Sequence, residues 1–265
     1  MKIKWTAERI KGLKGGEKIT CLTAYDFTTA RYLDAAGIHM ALVGDSLASA
    51  MLGHPTTLPV TMDQMIHHTA AVARGTTSAM VVADMPFMSY QVSTEQALGN
   101  AGRFLKEAGA DGVKIEGGSF RAGTVASLVA NGIPVLGHIG LTPQSIRQFG
   151  GYKVQGKKSS EADQLIADAL ALEAAGVFGI VVECVPVALG EAITKAVRVP
   201  TIGIGAGPHC DGQILVSHDL LGLSGGTVPR FAKQYTDLGD RMLKAFKEYK
   251  QDVETGAFPS DDYCY

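Results

Sequence analysis

Five short apolar runs, each ending on or beside a group that carries chemistry, constrain this chain more than any other feature. Ala41-Leu42-Val43-Gly44-Asp45-Ser46, Met80-Val81-Val82-Ala83-Asp84, Gly112-Val113-Lys114-Ile115-Glu116 and Gly179-Ile180-Val181-Val182-Glu183 meet an acid; Pro134-Val135-Leu136-Gly137-His138 meets a histidine. Apolar runs of this length, without polar alternation, read as strands covered on both faces. Helical spacings separate them, so strand and helix alternate about eight times along the chain. That order predicts a parallel sheet wrapped by helices. No stretch is rich enough in Pro, Gly and Ser to divide it, so residues 1–265 are expected to form one (β/α)8 TIM barrel. A doubly wound open sheet is the lesser alternative. In a barrel the strand ends gather on one face, where such folds place their chemistry.

The flanking elements follow from local signals. A short helix is expected at about 5–13, ahead of the first strand and placed to plug one barrel end, and a final amphipathic helix at about 236–254. Thr61 with Gln64 three residues on is a capping box that opens a helix. Gly37 and Gly176 are suited to stop helices. The stretch from Leu47 to Val60 reads as loop. Ile214 to His218 is the weakest of the expected strands.

Composition narrows the function. The 265 residues are 46% hydrophobic and 19% charged, with a formal net charge of −2. A near-neutral balance offers no basic footprint for nucleic acid or anionic membrane, which leaves small polar molecules as partners. The four cysteines lack a CxxC pair, so neither a zinc site nor a disulfide scaffold is expected. Cys21 and Cys184 read as buried free thiols. The N-terminal residues carry no apolar signal core and no window reaches a membrane span, so the expected location is cytoplasmic.

The strand-end residues can then be read chemically. Asp45 or Asp84 alone could cap the following helix. Together, on neighbouring strands facing one end, they offer two hard oxygen ligands with room for water and substrate, which suits Mg2+. Zinc would recruit His or Cys, and the adjacent His67 and His68 point apart on a helix. Lys114 and Glu116 lie two apart on one strand and face the same way. They form either a structural ion pair or an outer metal ligand, Glu116, beside a cation, Lys114, for an anionic substrate. Glu183, flanked by apolar residues, has the desolvated setting of a general base, or else it caps a helix ahead of Pro186. His138 and Ser46 suit positioning of a carbonyl or carboxylate, since neither belongs to a nucleophile triad. Two apparent motifs fail. Pro208 replaces the last glycine of a dinucleotide fingerprint in Gly203-Ile204-Gly205-Ala206-Gly207. Lys158 replaces the Ser or Thr of a phosphate loop in 151–158, which reads instead as a mobile cationic loop over the site.

Longer segments carry a family resemblance. Thr23-Ala24-Tyr25-Asp26, Val43-Gly44-Asp45-Ser46, Leu58-Pro59-Val60-Thr61, Val113-Lys114-Ile115-Glu116-Gly117-Gly118, the run from Gly137 to Gly156, Glu183-Cys184-Val185-Pro186 and Gly203-Ile204-Gly205-Ala206-Gly207 all match one family. From Lys18 to about Lys233 the sequence resembles the ketopantoate hydroxymethyltransferase family. The resemblance implies a barrel of the phosphoenolpyruvate mutase/isocitrate lyase-like kind, Mg2+, and 5,10-methylenetetrahydrofolate as one-carbon donor. It implies a homodecamer and an α-keto acid substrate, 3-methyl-2-oxobutanoate, converted to 2-dehydropantoate in the first committed step toward pantothenate and coenzyme A. By motif, Asp45 and Asp84 are implied as metal ligands with Glu116 close by through water, and Glu183 as general base. Ser46, Lys114 and His138, with the two aspartates, are the implied substrate contacts.

Two rivals stand beside this expectation. A metal-dependent carbon–carbon lyase of the isocitrate lyase type would carry a Lys-Lys-Cys-Gly-His segment, which this chain lacks. A catalytically silent barrel subunit would be expected to have lost a strand-end acid, and all four are present.

Overall fold

A computed structural model of the chain describes residues 3–225 and 228–265. They fall into two compact units, Met1–Leu215 and Val216–Tyr265. In the first, β1 (Ile19–Thr23), β2 (Met40–Val43), β3 (Met80–Asp84), β4 (Gly112–Glu116), β5 (Val135–Gly140), β6 (Gly179–Glu183), β7 (Thr201–Ile204) and β8 (Gly212–Leu215) close a barrel in sequence order. Every neighbouring pair is parallel, including β1 with β8. Closure removes the open-sheet alternative.

The helices of this unit are α1 (Ala7–Lys11), α2 (Phe27–Ala35), α3 (Leu47–Ala50), α4 (Met62–Gly75), α5 (Thr94–Ala108), α6 (Ala122–Ala130), α7 (Ile146–Phe149), α8 (Ser159–Ala174) and α9 (Val187–Ala196). The second unit carries α10 (Ser217–Leu221) and α11 (Leu238–Thr255). The capping box at Thr61 and Gln64 forms with both bonds present. No helix among the described residues is long and apolar enough to cross a membrane.

Side-chain period within the strands divides the core in two. Ile19, Cys21, Met40, Leu42, Met80, Val82, Leu136, Val181, Ile202 and Ile214 pack together inside the barrel, and Ile10 of α1 joins them with Trp5 and Leu13 against it. The helix expected at about 5–13 is thus only five residues long and packs against this inner cluster. Intervening residues such as Val81, Ala83, Val113, Ile115, Ile180 and Val182 belong to a second cluster shared with the helices. Both faces of each strand are apolar in the lower barrel, which is why the sequence shows no alternation.

Three expectations shift. β8 begins at Gly212, and His218 lies on α10 instead of a strand. A Cβ at residue 212 would lie 2.4 Å from the Ile19 carbonyl oxygen, so a glycine without strand propensity admits the closing contact. The stretch after Ser46 forms α3, a single turn with too few residues to show a period. Cys184 is half-buried, unlike fully buried Cys21.

Candidate active site

The barrel register decides which side chains meet. Asp84 pairs with Lys114 across β3 and β4, and Glu116 with His138 across β4 and β5. Asp84 and His138 lie two residues beyond inward-facing Val82 and Leu136, and Lys114 and Glu116 alternate with outward-facing Val113 and Ile115, so all four point into the upper barrel. Lys114 Nζ donates to Asp84 Oδ1 at 2.7 Å and lies 3.6 Å from Glu116 Oε1. His138 Nδ1 is 3.6 Å from the same Glu116 oxygen, and its Nε2 is 3.2 Å from Glu183 Oε2. Neither imidazole nitrogen completes a hydrogen bond among the described residues, so these two contacts are proximity of charge. Asp45, just beyond β2, donates its backbone N–H to Asp84 Oδ2 at 3.1 Å. Ser46 stands beside it, its Oγ 2.8 Å from the Tyr25 hydroxyl. All the residues expected at the site thus meet at one mouth; His67 and His68 do not. His68 Nδ1 instead donates to the Tyr25 carbonyl at 2.6 Å from α4.

Burial sets the electrostatics. Asp45, Asp84, Lys114, Glu116 and His138 are all buried. Desolvation, with the charges of Asp84 and Glu116 added, pushes the Asp45 carboxyl well above its usual range. Burial also raises Asp84, against the opposing pull of Lys114. For Glu116 burial is outweighed by Lys114, His138 and the Gln144 N–H, which hold it below the ordinary value. Burial and Lys114 oppose a charge on His138, yet Glu116 and Glu183 carry it up to about 9.

Glu183 departs from its expected surroundings. Val182 turns outward to the helices and Glu183 turns in, so the apolar neighbours in sequence are not its neighbours in space. Its side chain is 14% exposed and faces His138. The next residue, Cys184, has a left-handed φ of 48°. That strained turn is clamped by its N–H to the Ile204 carbonyl and by the Gln155 N–H to its own carbonyl, both at 2.8 Å.

Sequence reasoning missed the group that joins these parts. Gln144, buried in the turn after β5, donates its backbone N–H to Glu116 Oε2 at 3.0 Å. Its side-chain Nε2 donates to the Met85 carbonyl at 2.9 Å and to Asp45 Oδ2 at 3.3 Å. Its Oε1 accepts from the Tyr90 hydroxyl at 2.8 Å and from Gln91 Nε2 at 3.2 Å. The amide orientation is forced, because the Met85 carbonyl can only accept. Gln144 lies within the run quoted for the resemblance, but an uncharged amide gives no chemical signal of its own. Tyr152, on the loop after α7, has its phenol pushed up by burial and by the carboxylates of Asp45, Glu183 and Glu116. The 151–158 stretch follows a short helix and not a strand, consistent with its rejection as a phosphate loop.

The donor set fits a hard divalent cation. Four carboxyls at this mouth face one ammonium and one imidazole. Glu116 Oε1 is buried without a hydrogen-bond partner among the described residues. Among the described residues no three His, Cys, Asp or Glu side chains are grouped to hold a metal directly. Two direct carboxylate ligands, with water and substrate oxygens completing the shell, is the arrangement magnesium favours.

Comparison with known proteins places the chain among its relatives. Residues 4–261 match the family described as ketopantoate hydroxymethyltransferase. A 3-methyl-2-oxobutanoate hydroxymethyltransferase of Syntrophus aciditrophicus (strain SB) is 54% identical over 263 residues, covering 99% of this chain and 97% of its own. That of Geotalea uraniireducens (strain Rf4) is 52% identical over 264 residues, covering 100% and 99%. Among solved structures, a phosphoenolpyruvate phosphomutase from Streptomyces platensis subsp. rosaceus superposes with a TM-score of 0.64 at 14% identity, over 98% of this chain and 92% of its own. Phosphonopyruvate hydrolase, in complex with oxalate and Mg++, gives 0.63 at 14%, over 97% and 93%. These distant structures share the barrel fold. Identity above one half, sustained along almost the whole chain, goes further: this protein belongs to the ketopantoate hydroxymethyltransferase family.

Proposed function

We propose that the mouth of this barrel transfers a hydroxymethyl group from 5,10-methylenetetrahydrofolate to 3-methyl-2-oxobutanoate, giving 2-dehydropantoate and tetrahydrofolate in pantothenate and coenzyme A biosynthesis. The observation that supports it most is a partly open carboxylate, Glu183, sharing one mouth with the buried Asp45, Asp84 and Lys114. An α-keto acid presents a carboxylate and a keto oxygen side by side. Asp45 and Asp84 would hold Mg2+ there, with Glu116 acting through water. The cation would polarise the keto oxygen and stabilise the negative charge that grows on it.

The chain's own residues do the rest. The ammonium of Lys114 answers substrate charge, and Ser46 and His138 offer donors to its oxygens. Glu183 takes the proton from C3. His138 lies against Glu183 Oε2 and leaves Oε1 for that proton. The C3 carbon then bonds to the methylene carbon. Water supplies the hydroxyl oxygen, and the C3 proton and one proton of water end on the two nitrogens released from the methylene bridge. Assembly into a homodecamer belongs to the same proposal. It is supported by an exposed apolar stripe on α11 of Met242, Phe246, Tyr249 and Val253.

Glu183→Gln keeps the shape and removes the base. It is expected to bind keto acid and to slow C3 proton exchange about 10²- to 10⁴-fold, the usual weight of a positioned base. Exchange at the unaltered rate, followed by NMR in deuterated water, would remove Glu183 from the role.

A further inference from the structure

A cavity of about 350 Å³ opens beside the mouth, between the ends of β4 and β5 and the first turns of α8. Its walls continue the catalytic strands. Gly117 follows Glu116 and donates its N–H to the His138 carbonyl at 3.0 Å. Gly140 pairs in register with Glu183, and Gln155 is the residue that clamps Cys184. None of the proposed metal or substrate contacts lines this space. Its volume lies at the lower end of the range for small-molecule sites.

The cavity has a recognisable polarity. Asp168 of α8 is among its lining residues and 9% exposed. Its Oδ1 accepts from the Ser119 N–H at 2.8 Å and from Gln164 Nε2 at 3.0 Å, while Oδ2 takes no hydrogen bond among the described residues. An oxygen that takes no donor from the protein, on a residue lining the cavity, is suited to a ligand with paired N–H groups. Phe149 supplies an aromatic wall. The 153–158 stretch, whose Gln155 and Gly156 line the cavity, carries three lysines. Its one ion pair among the described residues is Lys158 with Glu161 at 3.3 Å, which leaves Lys153 and Lys157 exposed and unopposed.

We infer that this cavity is the pteridine subsite of the one-carbon donor, with Asp168 taking the 2-amino and N3–H edge and Phe149 lying against the ring. Lys153 and Lys157 then meet the carboxylates of the glutamate tail. The inference rests on the folate reading above. The chemistry is direct: a 2-amino-4-oxopyrimidine edge presents two adjacent donors, and a carboxylate is the acceptor that matches them. A planar bicycle stacks on an aromatic wall. An anionic tail is drawn to an unpaired cationic loop. With the ring in the cavity, the methylene bridge between ring and tail is directed at the shared wall, toward the strand ends that carry Glu116 and Glu183.

The test is calorimetric titration with tetrahydrofolate, as the monoglutamate and the triglutamate. The proteins are the unaltered enzyme, Asp168→Asn, Phe149→Ala and the double variant Lys153→Glu/Lys157→Glu. Asp168→Asn keeps an acceptor for Ser119 but loses the charge, and is expected to weaken monoglutamate binding at least 10-fold. Phe149→Ala weakens it several-fold. The double variant abolishes any gain in affinity from the longer tail. Should Asp168→Asn fail to fold, as judged by thermal unfolding, Phe149→Ala and the exposed lysines decide the question. Binding of both ligands by the variants as tightly as by the unaltered enzyme would overturn the pteridine subsite and leave the reaction standing. An unaltered enzyme that binds no tetrahydrofolate would instead overturn the folate reading and the subsite together.

Discussion

Gln144 shows how much of this site depends on an uncharged residue. Its side chain spans Tyr90 and Gln91 on one side and Asp45 and Met85 on the other, with every bond in the network used. Networks that hold the groups around a metal often govern affinity as strongly as the ligands do. Gln144→Glu places an acid against Asp45 and turns a donor into an acceptor. It is expected to weaken divalent-cation binding about 10- to 100-fold, read by Mn2+ electron paramagnetic resonance; unchanged affinity would show that Asp45 needs no such orientation. The acids themselves were legible because each stands at the end of an apolar run, where the next inward position is the barrel mouth. Gln144 and Tyr90 were not, because an amide and a phenol in loops carry no spacing rule. Glu183 was legible as a position but not as an environment: side-chain period two turned Val182 away from it.

Strands and helices repeat one device at the opposite end of the barrel. Asp34 of α2 receives the Ser78 and Ala79 N–H groups and the hydroxyls of Thr77 and Ser78, at 2.7 to 2.8 Å, and so pins the start of β3. Asp211 receives the Thr201 N–H at 2.8 Å, the Gly15 N–H at 3.0 Å and the Lys14 ammonium at 2.9 Å, pinning the start of β7. Burial opposes both charges, but the donors prevail and hold each carboxyl below its ordinary value. A depressed carboxyl contributes stability that is present above the unfolded value near 4 and is lost as pH falls through the folded one. Chemical denaturation should therefore show stability falling steadily below about pH 4. Asp34→Ala should remove part of that acid dependence and cost about 3 kcal/mol at neutral pH. An unchanged pH profile in the variant would refute the role of Asp34. The strands were readable from their apolar runs, and α4 from its capping box. β8 was placed late because Gly212 and Gln213 have weak strand propensity and are held by barrel closure.

At the scale of the whole barrel the two ends use the same residue types differently. Aspartates at the N-terminal end are answered by backbone N–H groups and serve the fold. Acids at the C-terminal end are answered by Lys114 and His138, keep the buried Glu116 Oε1 without a hydrogen bond among the described residues, and leave Glu183 partly open. That division follows from parallel strands, which bring all their carboxyl ends to one face. It also explains why a repeated pattern in the sequence could predict both the architecture and the gathering of these acids at one mouth, while the cavity beside α8, formed by side chains from separate connections, could not be seen there. The central claim is that this face holds a cation and deprotonates a keto acid beside it. Incubation of the unaltered protein with Mg2+ and 3-methyl-2-oxobutanoate in deuterated water, without folate, tests it most directly by NMR. Deuterium should appear at C3 and cease when the cation is chelated; keto acid that binds and keeps its C3 proton would contradict the account.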